Sequence, residues 1–370
     1  MIIKKKIIFG ITSLTIGGAE RVLVDLANKL CCLYDITIFS IYDNGELKKE
    51  LNGKVKFKSL YKCTYNELSK IQKKWIPIKI LLFANSIYKR HIKCDYDIEV
   101  AFLEGPITRL FSKKNVNTRK IVWVHNDIKY VFGSNIKSKI KKIIDKIIYT
   151  RYDDIVFVSS ENKKSFCSVY KNMEFKRLHI IHNYIDSKRV MDMSVGDAHE
   201  LKKCNSIIFV CVCRLVKQKA IDRLISIHKK LINDGLMHNF FVIGDGPERH
   251  NLEHLIELEK VEKTFHILGK RDNPYPYIKN ADYFCLLSYF EGYGMVLEEA
   301  KILEKPIIIT DTAAKEAAEG YNYSLIIGNN NDSIYDGLSN VILHKELFKK
   351  KEYSYSNKTN LDEVIKLLDG

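Results

Sequence analysis

Residues 283–300 read Tyr-Phe-Cys-Leu-Leu-Ser-Tyr-Phe-Glu-Gly-Tyr-Gly-Met-Val-Leu-Glu-Glu-Ala. Tyr283–Leu287 is an unbroken apolar run of strand length. Glu291–Gly294 sets two glycines around an aromatic, where the chain must turn, and the residues after it open a helix. An apolar strand feeding a helix through a glycine turn is the repeating unit of a parallel sheet covered on both faces.

Working outward, the same rhythm recurs. In the second half, strands are expected at Ser206–Cys213, Asn239–Gly244, Thr264–Leu268, Pro306–Thr310 and Ser324–Ile327. In the first half they are expected at Lys6–Thr12, Asp35–Ile41, Val55–Leu60, Ile98–Leu103, Lys120–His125, Asp154–Ser159 and His179–Asn183, with helices at Ala19–Leu30, Ile136–Tyr149 and Glu161–Tyr170. Two such series imply two doubly wound α/β domains, with the polar stretch Asp186–Asn205 as the connection. The domains are drawn at 1–186 and 187–352, with 353–370 a terminal helix that packs back on the first. Ligands of open parallel sheets bind beyond the carboxyl ends of the strands, so two such domains facing each other predict a cleft with the working residues at strand ends.

Composition narrows the class. The chain has 370 residues, 46% hydrophobic and 28% charged, as ordinary folded proteins do. Nine cysteines, an odd number without a CxxC pair, read as free thiols in a reducing compartment. Lys4–Lys6 followed by Ile7–Ile16 imitates a signal peptide, but the hydroxyl residues within it favour a first buried strand. No apolar run reaches the 18 or so residues of a membrane span. Residues 1–190 hold 37 Lys/Arg against 18 Asp/Glu, a charge of +19, whereas 191–370 hold 23 against 27, or −4. The basic half attracts anions: acidic lipid, lipid phosphate or nucleic acid.

Four motifs sit at strand ends. Gly17-Gly18-Ala19-Glu20-Arg21 opens a helix, whose unpaired N–H groups suit an anion. Arg214 and Lys219 follow the first strand of the second half and can grip phosphate oxygens. Gly244-Asp245-Gly246-Pro247-Glu248 makes a tight turn but lacks the third glycine of a dinucleotide fingerprint, which disfavours a nicotinamide dehydrogenase. Last is Glu291 in its loop, with Glu299 eight residues on, about 12 Å along if the interval is helical. That spacing suits a sugar and a ribose at either end of a diphosphate, with the helix start near Gly292–Met295 facing the phosphates.

Together these motifs resemble the retaining GT4-type (group 1) glycosyltransferases of GT-B fold. Glu291 to Glu299 resembles their E-x7-E signature, Arg214 with Lys219 their R-x4-K diphosphate clamp, and Gly17-Gly18-Ala19-Glu20 their N-terminal glycine turn. His125 resembles their donor-sugar histidine, and His182-Asn183-Tyr184-Ile185-Asp186 their domain-junction turn. Cys213, Ala220 and Tyr184 depart from that pattern by standing where the family often has glycine.

The resemblance implies two Rossmann-like domains. It implies a nucleotide-diphosphate sugar as donor, by expectation a UDP-sugar, with Glu299 on the ribose. Glu291 and His125 serve the sugar, while Gly17, Gly18, Arg214, Lys219, Gly292, Tyr293 and Gly294 surround the donor. No metal or cofactor is expected. Asp95-Tyr96-Asp97 mimics a metal-binding D-x-D, but it precedes its strand and is set aside. The basic amphipathic stretches Leu68–Lys93 and Ile136–Tyr149 point to an anionic membrane surface. Hence a saccharide or lipid-linked acceptor is expected, in bacterial surface-polysaccharide synthesis, with the protein cytoplasmic and peripheral on the inner face of the cell membrane. The alternatives are a nucleotide-sugar epimerase of the same architecture and a basic nucleic-acid-binding protein. No recognised nucleic-acid module is present.

Overall fold

A computed structural model describes residues 4–43, 45–64, 67–92, 96–113, 115–126, 128, 136–173, 176–204, 206–344 and 358–370. The chain forms two compact units, Met1–Ile185 with Asn357–Gly370, and Asp186–Ser356. The boundary expected at 352/353 lies outside the described residues, as do Asp95, Cys94, Lys93 and Asn205.

In the first unit the strands are β1 (Lys6–Ile11), β2 (Asp35–Tyr42), β3 (Lys56–Tyr61), β4 (Ile98–Ala101), β5 (Arg119–Val124), β6 (Asp154–Phe157) and β7 (Arg177–Ile180). They pair in parallel in the order β3-β2-β1-β4-β5-β6-β7. β1 is buried from Ile7 to Ile11, so the basic start followed by an apolar run is a central strand. Its buried side chains have water on neither face, which explains the unbroken apolar run. One layer over this sheet is the helix Lys70–Ile87. Ser69 accepts from Gln72 N–H while the Gln72 side chain accepts from Ser69 N–H, a reciprocal cap. Ile76, Ile80 and Ala84 of that helix, Ile107 and Phe111 of Pro106–Phe111, and Ile148 and Tyr149 of Ile136–Tyr149 join one core cluster. The last helix, Lys358–Asp369, belongs to this unit. Tyr34 donates to Asp369 Oδ1 at 2.9 Å, and Arg119 Nη1 donates to the Leu367 carbonyl at 2.6 Å.

In the second unit β8 (Ile207–Val212), β9 (His238–Ile243), β10 (Phe265–Gly269), β11 (Tyr283–Leu286), β12 (Ile307–Thr310) and β13 (Ser324–Ile327) run in parallel in the order β10-β9-β8-β11-β12-β13. The order reverses between β8 and β11 here and between β1 and β4 in the first unit. Loops leaving a pair of strands at such a reversal diverge to opposite faces and leave a crevice at the carboxyl edge.

Gly244 and Gly246 have a packing reason. A Cβ on Gly244 (φ +146°) would lie 1.8 Å from the Cys213 carbonyl oxygen, and one on Gly246 2.3 Å from that of Leu215. This turn presses backbone to backbone on the loop after β8, and Leu215 N–H donates to the Asp245 carbonyl at 3.0 Å.

Candidate donor and acceptor sites

The Gly17–Arg21, Arg214–Lys219 and Glu291–Glu299 motifs follow strands at the two reversals, whereas His125 follows β5 and Gly244–Glu248 follows β9. In the second unit, Arg214–Lys219 leaves β8 and Glu291–Gly294 leaves the adjacent strand β11. Lys219 and Glu291 form an ion pair, with side chains 16% and 12% exposed. Ser288 Oγ (3.4 Å) and Gly292 N–H (3.3 Å) also donate to the Glu291 carboxylate. The two loops are laced by Tyr289 N–H to the Gln218 carbonyl (2.9 Å) and Gln218 Nε2 to the Phe290 carbonyl (3.0 Å). Arg214 is exposed, and among the described residues no ion pair or side-chain hydrogen bond engages its guanidinium.

The helix itself begins at Met295, with Gly294 left-handed (φ +72°) at its cap, so Glu291–Gly294 is a loop and the 12 Å helical spacing does not apply to the whole interval. Glu299 accepts from the Tyr275 hydroxyl at 2.9 Å, and that hydroxyl accepts from Arg189 Nη1 at 3.1 Å. Burial, and next the Glu299 charge, push the Tyr275 phenol up, so it stays a donor. Tyr293 turns inward. The residue is 7% exposed and its hydroxyl donates to Glu298 at 2.8 Å. Gly292 has open space where a Cβ would sit.

In the first unit, Gly17 is the extended cap of the helix Gly18–Leu30, and a Cβ on it would strike the Glu20 carboxylate at 2.3 Å. His125 ends β5. Its ring packs tilted at 55° against Phe102, centroids 4.8 Å apart, and hydrogen-bonds the Phe102 backbone, leaving Nε2 buried without a hydrogen-bond partner. Burial lowers the imidazole to about 3, so it is neutral at pH 7. Glu104, which the sequence reading missed, holds this turn. Its carboxylate accepts from His125 N–H and Asn126 N–H, both at 2.7 Å, and from Asn126 Nδ2 at 2.9 Å. Burial raises the Glu104 carboxyl against those hydrogen bonds. The available signal was its place just past β4, beside β1 at the reversal. Glu104, Asn126 and Tyr149 line a cavity of about 180 Å³.

The departures from the family pattern have different consequences. Tyr184 is buried and is not among the residues of positive φ, so a glycine is not needed there. Ala220 is left-handed (φ +53°) at the start of Ile221–Asn233, so there the missing glycine leaves strain. Cys213 Sγ lies 3.7 Å from Cys211 Sγ. Asp97 accepts Lys6 N–H at 2.7 Å, the strand-entry role expected of it.

Two doubly wound parallel sheets in series, each with its motifs at the reversal, define a GT-B-class protein. The family model "Glycosyl transferases group 1" matches residues 197–359, and "Glycosyltransferase Family 4" matches residues 16–189. The chain belongs to this glycosyltransferase family and is an enzyme of that type. Its relatives include an uncharacterized glycosyltransferase of Methanocaldococcus jannaschii, 28% identical over 75% of this chain and 69% of that one. Another is the N-acetylgalactosamine-N,N'-diacetylbacillosaminyl-diphospho-undecaprenol 4-alpha-N-acetylgalactosaminyltransferase of Campylobacter jejuni, 25% identical over 94% and 92%. Among solved structures it is similar to Anabaena HepE in complex with UDP and glucose, with a TM-score of 0.75, 14% identity and 99% of each chain covered.

Proposed function

We propose that this enzyme transfers a sugar from a UDP-sugar to a lipid-linked saccharide in bacterial surface-glycan synthesis, retaining the anomeric configuration and using no metal. The carrying observation is the loop-to-helix segment Glu291–Glu299 meeting the Arg214–Lys219 loop at one strand reversal. The Campylobacter relative acts, by its name, on a diphospho-undecaprenol-linked saccharide, and the Anabaena structure contains UDP and glucose.

In this reading the second unit holds the donor. Glu299, kept in place by Tyr275, accepts from the ribose hydroxyls. Arg214 supplies a forked cation and Lys219 a point charge to the diphosphate, which gains charge as the glycosidic bond breaks. Such preorganised cations stabilise the transition state more than the ground state. Glu291 accepts from sugar hydroxyls and orients Lys219 through the ion pair. Neutral His125 keeps the sugar-side role that the resemblance gives it. The enzyme works from the cytoplasmic side, peripheral to the membrane. A thermal-shift panel of UDP-, GDP- and ADP-sugars tests the donor: a rise with UDP-sugars alone supports it, and no rise with any refutes it. The anomeric proton coupling of the product, read by NMR with and without a chelator, tests retention and metal independence.

A further inference from the structure

Two thiols stand at the root of the Arg214–Lys219 loop. Cys211 lies in β8 and Cys213 just past its end, two positions apart, and both pack against the core cluster of the second unit. Their sulfurs are 3.7 Å apart, with Cys211 Sγ–H donating to Cys213 Sγ. Cys211 is buried, whereas Cys213 is partly exposed. That hydrogen bond, and then the Lys219 ammonium, hold the Cys213 thiol below its ordinary value against burial and the Glu291 carboxylate. The same bond pushes Cys211 up. Cys213 is thus the reachable thiolate of the pair and Cys211 the thiol beside it, the arrangement of an attacking and a resolving cysteine. The other thiols of this unit are placed differently. Cys285 is fully buried in β11, and burial raises both Cys285 and Cys204.

The Cys213 backbone is clamped. Its N–H donates to the Ile243 carbonyl at 3.0 Å, and Gly244 presses on its carbonyl oxygen. Further along the loop, Lys219 N–H donates to the Val216 carbonyl at 2.9 Å. We propose that Cys211 and Cys213 are a dithiol that hydrogen peroxide oxidises to a disulfide, displacing the Arg214–Lys219 loop and weakening its hold on the donor diphosphate. The last consequence rests on the donor reading above, but the chemistry and the loop displacement do not. The Cys213 thiolate attacks one peroxide oxygen, the O–O bond breaks, hydroxide leaves and Cys213 becomes a sulfenic acid. Cys211 then attacks the Cys213 sulfur. The S–S bond forms, the S–O bond breaks, and the Cys211 proton leaves with that oxygen as water. Two electrons pass from the sulfurs to the peroxide. The sulfurs close from 3.7 Å to about 2.05 Å. Residues two apart on a strand have Cα atoms roughly 6.5 Å apart, near the long end of what a disulfide spans. Bonding therefore draws Cys213 inward, and the loop that begins at Arg214 moves with it.

The test treats the full chain with hydrogen peroxide, alkylates the remaining thiols with iodoacetamide after denaturation, and weighs the tryptic peptide Cys204–Arg214, which contains Cys204, Cys211 and Cys213. The peptide should carry one alkyl group, on Cys204, and dithiothreitol before alkylation should restore all three. All three groups after peroxide, or Cys213 carried on to a sulfinic acid without pairing, overturns the proposal. Amide exchange at Leu215 and Lys219 should quicken at least about tenfold in the oxidised protein, as their hydrogen bonds open more often. Unchanged exchange overturns the proposal as well. In titration calorimetry UDP should bind the oxidised protein at least about tenfold more weakly than the reduced one, since small misplacements of binding groups are costly. Equal affinity overturns the proposal. Cys213→Ser should keep in peroxide the UDP affinity it has without peroxide, and a loss like that of the wild type overturns the proposal. If the reduced wild type binds no UDP, the donor reading fails, while the peptide mass and the amide exchange still decide this proposal.

Discussion

The two units solve the same topological problem with different buried polar groups. The Met1–Ile185 unit seals Glu99 and Lys120 side by side at 2.6 Å, with the Tyr88 hydroxyl donating to Glu99 and Lys120 also donating to the Phe111 carbonyl at 2.8 Å. The Asp186–Ser356 unit seals two histidines. His228 Nδ1 meets His238 Nε2 at 2.8 Å, and the outer nitrogens meet Thr264 Oγ1 and the Leu236 carbonyl. The outsides differ as well. The basic first half presents apolar stripes, while the second half carries a charge of −4 and gathers Arg214, Lys217 and Lys219 in the loop after β8. A shared sheet order therefore leaves the core and surface chemistry of each unit free to diverge.

The comparison breaks most easily at Glu99. Glu99→Ala leaves the Lys120 ammonium buried without its partner, which costs about 3–5 kcal/mol. Chemical denaturation followed by calorimetry should show the first unit melting earlier and the second unmoved. A single transition shifted as a whole would mean the units are not separable in this respect. Next comes the loop of cations. Lys219→Ala should lower turnover about a hundredfold or more, as loss of one preorganised charge does. Wild-type turnover would remove Lys219 from the clamp.

Acid should discriminate the units too. Burial lowers His228 to about 2 and His238 to about 4, both below their ordinary value near 6.5. Their contribution is intact above pH 6.5, where the unfolded imidazoles are also neutral. It is lost as pH falls, because the unfolded chain then binds protons that the folded unit refuses. At pH 5 the loss is about 2 kcal/mol per imidazole. A second-unit stability that is flat between pH 7 and 5 would contradict this. The smallest change is Ala220→Gly, which should raise stability by about 1 kcal/mol by relieving the left-handed alanine. A fall would show that the Ala220 methyl contributes more than its strain costs.

Much of this fold is legible in the sequence because parallel strands are buried on both faces and read as apolar runs. β11 starts at Tyr283 and β12 lies within the expected Pro306–Thr310. The weaker reading is at β7, expected at His179–Asn183 and found at Arg177–Ile180, because charged ends mask a short edge strand. The site is legible where side chains face outward, as at Arg214. It is not legible where one carboxylate holds another group. Glu104 and Tyr275 carry no motif, and only the fold brings them to His125 and Glu299. Nor does alternation of residues reveal that Tyr293 turns inward to Glu298. The exposed stripe of Ile71, Trp75, Ile78 and Leu82 on Lys70–Ile87 is likewise hidden, since apolar spacing alone does not say which stripe the sheet covers.

The central claim is that the reversal between β8 and β11 holds the nucleotide through Glu299. Titration calorimetry of UDP into the wild type and into Glu299→Ala tests it most directly. Loss of the ribose acceptor should weaken UDP at least about tenfold, the effect of removing a charged hydrogen-bond acceptor. Equal affinity in the two proteins would contradict the account.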